Sequence, residues 1–125
     1  MKKPLLVDTS VWICFFNGIN CPETDLLSTY LEQDGPIYIC PTILQEVLQG
    51  IRDDKQYAEV REYLLALPIL NDDGVEMALS AAGLYRSLRK KGKTIRKSND
   101  CLIAQYAIKH GLKVLHRDRD FDLLM

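Results

Sequence analysis

Residues 5–10 read Leu5-Leu6-Val7-Asp8-Thr9-Ser10. Three apolar residues in a row, without alternation, suit a strand buried on both faces, as in a parallel sheet covered by helices. The run stops at an aspartate, and two hydroxyl residues that can cap a helix follow it. A strand that turns straight into a helix opens a βαβ unit and points to the α/β class.

The rest of the chain repeats that alternation. Val11 to Phe16 predicts a helix capped by Thr9 or Ser10, and Gly18 and Pro22 punctuate the turn after it. Residues 25–33 predict a second helix, ending near Gly35-Pro36. Ile37-Tyr38-Ile39-Cys40 is a second β-like run. Pro41-Thr42 then opens a helix with Thr42 as cap, and Ile43, Leu44, Val47, Leu48 and Ile51 form its apolar stripe. Residues 53–67 predict a further helix, and Pro68-Ile69-Leu70 a short strand. Asp73 starts a long helix with Val75, Ala78, Leu79, Ala82 and Tyr85 on one face, ending near Lys91-Gly92. Residues 98–109 predict the last helix, stopped by Gly111, and residues 112–115 the last strand. The expectation is an α/β fold with a central parallel sheet of about four short strands, flanked by helices on both faces.

At 125 residues, 47% of them hydrophobic, the chain suits one domain, residues 1–125, with a real core. Its formal net charge of −1 excludes a global basic field. No stretch approaches the ~18 apolar residues that span a bilayer, and Asp8 breaks the apolar run behind Lys2-Lys3 before it can serve as a signal peptide. Cys14, Cys21, Cys40 and Cys101 form no C-x-x-C pair, and His110 and His116 are the only histidines. A Cys/His zinc site is therefore not expected, and reduced thiols fit the cytoplasm.

In parallel sheets, ligands bind beyond the carboxyl ends of the strands. Asp8 follows the first strand directly, and Asp118 comes three residues after Leu115. Glu46 lies early in the helix after the second strand, and Asp100 in the first turn of the helix before the last one. Taken singly, Asp8 reads as a helix cap, and Asp118 with Asp120 as an exposed turn. Glu46 sits roughly 130° from the centre of its helix's apolar stripe, which predicts a solvated side chain. Asp100 is different, because helical arithmetic puts it beside Ile103, Ala104 and Ala107 on the apolar face, where a carboxylate is costly without a cation. Converging carboxylates repel unless a divalent ion lies between them, and oxygen ligands suit Mg²⁺ or Mn²⁺.

A second signal is basic. Arg86, Arg89, Lys90, Lys91, Lys93, Arg96 and Lys97 place seven of the sixteen basic residues in residues 86–97, with no acid among them. This reads either as a solvated helix end or as a cradle for a phosphate backbone beside Asp100, with Arg89, Lys90, Lys93 and Arg96 as the candidate phosphate contacts.

Leu6-Val7-Asp8-Thr9-Ser10, the Glu46 helix followed by Gly50, Asn99-Asp100-Cys101-Leu102-Ile103-Ala104 and Arg117-Asp118-Arg119-Asp120-Phe121 together resemble the PIN-domain nucleases. More narrowly, they resemble the VapC-type toxins of type II toxin–antitoxin systems. No single motif is specific; the order of the four is. The resemblance implies a PIN-like domain in which Asp8, Glu46, Asp100 and Asp118 are catalytic and bind Mg²⁺ or Mn²⁺. Asp120 matches a further acidic position, so either Asp118 or Asp120 is the closer ligand. Thr9 or Ser10 matches a supporting hydroxyl. It also implies an endoribonuclease acting on RNA such as tRNA or rRNA, a small antitoxin partner and a homodimer. Metal-activated water would attack the phosphodiester, leaving 5′-phosphate and 3′-hydroxyl ends. The rival readings are a non-catalytic RNA-binding or scaffolding module of the same fold and a phosphoacceptor signalling domain. The second fails on sequence, because Asp8 stands alone after the first strand and Cys40-Pro41 follows the second.

Overall fold

The computed structural model describes residues 2–117 and Leu124. Among them the order is β1 (Leu5–Val7), α1 (Thr9–Phe16), α2 (Pro22–Glu32), β2 (Ile37–Tyr38), α3 (Pro41–Gln49), α4 (Asp54–Leu65), α5 (Gly74–Lys90), α6 (Ser98–His110) and β3 (Lys113–Leu115). The strands form a parallel sheet in the order β2-β1-β3, with Leu5 opposite Ile37 on one side and Lys113 on the other. Leu5, Leu6 and Val7 are all buried, as the unbroken apolar run requires. The chain leaves β1 towards one neighbour and later returns on the other side. The carboxyl ends of β1 and β3 are therefore the crossover point where such sheets form a crevice.

The sheet is one strand shorter than expected. Residues 68–70 supply only a bridge, Ile39 opposite Ile69, closed by Ile39 N to Pro68 O at 3.1 Å and Leu70 N to Ile39 O at 2.8 Å. Pro68 has no N–H with which to continue the ladder. On the other side Pro41 takes the first position of α3, so the chain must leave the sheet there.

Three helix starts also differ. Asp8 caps α1, in place of Thr9 or Ser10, with φ −69° and ψ 156° and its side chain accepting from Ser10 N. Cys40, not Thr42, occupies the cap position of α3 and makes no side-chain cap bond, and Pro41 follows it as the first helical residue. The second helix begins at Pro22, a residue type suited to a first turn because it has no N–H to leave unsatisfied. Asp73 caps α5 as expected, and Gly111 ends α6 in a left-handed conformation (φ 64°) that a side chain would disfavour.

The largest correction concerns α5. Its core face is Met77, Ala81 and Leu88, with Leu84 packed against it, and this face lies on α6. The face predicted to be inside is mostly outside, with Val75 at 72% exposure and Leu79 at 70%. Both stripes have helical spacing, so periodicity alone could not choose between them. The core itself is continuous. Leu6, Val7, Val11, Trp12, Leu27, Ile39, Ile43, Leu64, Ile103, Ala104 and Ala107 are fully buried around the sheet. No helix among the described residues is long and apolar enough to cross a membrane.

Candidate acidic site at the carboxyl end of the sheet

Asp8 is the first residue past β1, and its backbone N–H donates to Leu115 O (2.9 Å), so the sheet itself fixes its position. Its side chain is 5% exposed. Two donors from Ser10, the backbone N–H at 3.1 Å and the hydroxyl at 2.6 Å, meet its Oδ2. The carboxylate thus lies at the positive end of α1, where a negative charge is favoured. Capping and site-building are not alternatives here: the cap bonds aim the carboxylate.

Thr9 and Ser10 are successive residues of the first helical turn and point to different partners. Thr9 Oγ1 donates to Glu46 Oε1 at 2.8 Å, tying α1 to α3. Asn99 Nδ2 reaches Glu46 Oε2 at 3.5 Å from the first turn of α6. Glu46 is therefore half-buried between two helix N-termini rather than solvated. The single-helix arithmetic could not foresee this, because α1 and α6 close over the polar side of α3. Asp100 follows Asn99 and is 4% exposed, on the same face as the fully buried Ile103, Ala104 and Ala107.

Two thiols register the negative charge. Burial pushes the Cys40 thiol up to about 11, and the carboxylates of Glu46 and Asp8 push the same way, so both acids act on one sulfur at the end of β2. Burial also raises the Cys101 thiol, with Asp100 adding to it. Burial and these two acids thus favour the neutral thiol form of Cys40 at neutral pH. What remains at this end of the sheet is a set of hard carboxylate oxygens, the donor type suited to Mg²⁺ or Mn²⁺.

Among the predicted residues, Ser10 is bonded to Asp8 and Thr9 to Glu46, which Asn99 also reaches, while Asp100 is buried as the next residue after Asn99. Asp118 and Asp120 lie outside the described residues. Among the described residues no three His, Cys, Asp or Glu side chains are grouped to hold a metal ion. Arg86, Arg89, Lys90, Lys91, Lys93, Arg96 and Lys97 are all exposed, from the end of α5 to the start of α6. The Arg89 guanidinium stands over the Tyr85 ring, 5.8 Å from its centroid.

Two contributors were not singled out from sequence. Asn99 was visible only as the neighbour of Asp100. Arg117 was read as part of a charged turn, yet its backbone N–H donates to Ser10 Oγ at 3.2 Å. Its guanidinium Nη1 donates to Cys14 Sγ at 2.9 Å, and its Nε lies 3.6 Å from Glu23 Oε1. A cation close behind a strand end is the one sequence signal that could have flagged it.

The described residues form a parallel α/β domain with Asp8 buried just past its central strand. The chain belongs to the PIN-domain family, whose profile matches residues 5–124. It is 38% identical to the ribonuclease VapC11 of Mycobacterium tuberculosis over 122 residues, covering 96% of this chain and 90% of that protein. A VapC ribonuclease of Mycobacterium bovis matches to the same extent, at 38% identity over 122 residues. Among solved structures the chain resembles VapBC2 of Rickettsia felis bound to a promoter DNA fragment (TM-score 0.74, 19% identity, covering 95% of this chain and 91% of that one). It also resembles a toxin–antitoxin complex from Klebsiella pneumoniae (TM-score 0.71, 22% identity, covering 94% and 89%). These two likenesses establish a shared fold.

Proposed function

We propose that this chain is a Mg²⁺- or Mn²⁺-dependent endoribonuclease and the toxin of a toxin–antitoxin pair. The observation that carries this reading is that Ser10 holds the buried Asp8 just past β1, while Thr9 and Asn99 hold Glu46 from the starts of α1 and α6, where Asp100 is buried. Membership of the PIN-domain family and 38% identity to two named ribonucleases support it. Asp8, Glu46 and Asp100, together with Asp118 or Asp120, are the residues that would hold the cation. When bound, the cation supplies Lewis-acid charge that makes water more acidic and offsets the charge of a reacting phosphate.

The chain's own residues supply the positioning. Ser10 fixes the Asp8 carboxylate, and Thr9 with Asn99 fixes Glu46. The exposed Arg89, Lys90, Lys93 and Arg96 would hold flanking phosphates of RNA, with tRNA or rRNA as the substrate class. Water is the nucleophile in this reading, and hydrolysis would yield 5′-phosphate and 3′-hydroxyl ends. Two partners complete the proposal: a small antitoxin protein, by likeness to the toxin–antitoxin complexes of the same fold, and a second copy of the chain. The exposed stripe of Val75, Ala78, Leu79 and Ala82 on α5 is the surface we assign to the homodimer. Four free cysteines fit work in the reducing cytoplasm.

The test is cleavage of total tRNA and rRNA by purified protein, with the ends sequenced. Cleavage is expected in Mg²⁺ or Mn²⁺, to vanish in EDTA and to return when the metal is restored. Full activity in EDTA would refute the metal-dependent reading, and RNA binding without cleavage in any metal would favour a non-catalytic module.

A further inference from the structure

We propose that Arg117 is a positioning residue for the acidic site, acting through Ser10 on Asp8; this rests on the metal-site reading above. A backbone N–H can only donate, so Ser10 Oγ must accept from Arg117 N at 3.2 Å. The one hydroxyl hydrogen of Ser10 is then directed at Asp8 Oδ2, 2.6 Å away. Asp8 Oδ2 accepts at one end and the Arg117 N–H donates at the other, so the position of the Ser10 oxygen is set from both sides.

The side chain of Arg117 holds that backbone in place. Its guanidinium donates to the buried Cys14 in α1 and faces Glu23 in the first turn of α2. The fork-shaped group can engage two partners at once, which a lysine cannot do with the same geometry. The exit of β3 is thereby tied to both helices. An ion pair 3.6 Å long with 40% and 27% exposure contributes little to stability by itself. Its consequence is orientation of Ser10, and through it of a carboxylate that is 5% exposed. Partners that orient metal ligands in this way typically change metal affinity or activity by about 10- to 100-fold when removed.

The experiment compares wild type, Arg117→Gln, Arg117→Lys, Ser10→Ala, the double variant Arg117→Gln/Ser10→Ala and the pair Cys14→Ala/Glu23→Gln. Mn²⁺ affinity is read by paramagnetic resonance of the free ion, kcat and KM on an RNA substrate, and folding by circular dichroism. Arg117→Gln should weaken Mn²⁺ binding and lower kcat by about tenfold, with KM within about twofold of wild type. The Cys14/Glu23 pair should reproduce that effect from outside the site, and Arg117→Lys should fall between. On a Ser10→Ala background, Arg117→Gln should add nothing. Additive losses on that background, or unchanged Mn²⁺ binding, would overturn the proposal. So would a rise in KM alone with a flatter salt dependence, which would mark a direct bond to phosphate. Wild type that binds Mn²⁺ but cuts no RNA would fail the ribonuclease reading while the Mn²⁺ comparison still decides this one. Wild type without Mn²⁺ affinity would overturn both. If Arg117→Gln does not fold, Arg117→Lys and the Cys14/Glu23 pair carry the same comparison.

Discussion

Replacing Thr9 with valine removes one hydroxyl and little else. The two side chains are nearly the same shape, both are β-branched, and Thr9 sits at the first position of α1. What disappears is the 2.8 Å bond to Glu46 Oε1. A hydrogen bond to a charged group is worth about 1.5–3 kcal/mol net. Glu46 is only half-buried and can recover some hydration, so the loss falls at or just below the bottom of that range, about 1–1.5 kcal/mol. At about 2.1 cal/mol/K per residue, 125 residues give a melting entropy of about 0.26 kcal/mol/K. The midpoint should then fall by about 4–6 °C. The assay is thermal denaturation followed by circular dichroism in EDTA, so that metal cannot compensate. A double-mutant cycle with Glu46→Ala, which removes the acceptor, isolates the pair, and coupling of about 1 kcal/mol is expected. A midpoint within about 1 °C of wild type, or additivity with Glu46→Ala, would refute the claim that Thr9 holds Glu46 in place.

Neutralising Arg89, Lys90 and Lys93 together should weaken RNA binding and reduce its salt slope by about one for each phosphate no longer neutralised, with the midpoint of melting preserved; titrations at several salt concentrations check this. The Asp72 carboxyl is held below its ordinary value by the His110 bond (2.6 Å) and then by Lys109. A folded-state value below the unfolded one contributes stability that is present above pH 3.8 and lost as pH falls below it, so Asp72→Asn should shrink the loss of stability in that range, as read by denaturant melts at each pH. If the exposed α5 stripe is the proposed dimer face, Val75→Glu with Leu79→Glu should leave a folded monomer, since both side chains are exposed in the single chain; a wild type that is itself monomeric by analytical ultracentrifugation would refute that assignment.

The parts of the fold that were legible in sequence are those set by local chemistry. Leu5-Leu6-Val7 had to be buried on both faces, Asp73 had to cap, and Gly111 had to stop α6, because each outcome depends on a few adjacent residues. Asp100 was legible as well, since one helix's own periodicity put a carboxylate among Ile103, Ala104 and Ala107. The failures need the tertiary structure. Two apolar stripes on α5 compete for the core, and only the position of α6 selects Met77, Ala81 and Leu88. Glu46 reads as solvated until α1 and α6 arrive to cover it. Arg117 lies 107 residues from Ser10, and no local pattern links them.

The central claim is that the buried acids form a metal site, and Asp100→Asn tests it most directly. The substitution keeps the shape of a side chain that is 4% exposed and removes its charge. Cleavage of RNA in Mg²⁺ should fall by at least about a hundredfold, more than removal of a mere supporting partner would cause. The melting midpoint in EDTA should stay level or rise, because repulsion from Asp8 is relieved. A variant that cleaves RNA as wild type does, while being less stable by up to roughly 1 kcal/mol, would instead make Asp100 a helix-start residue and would contradict the metal site.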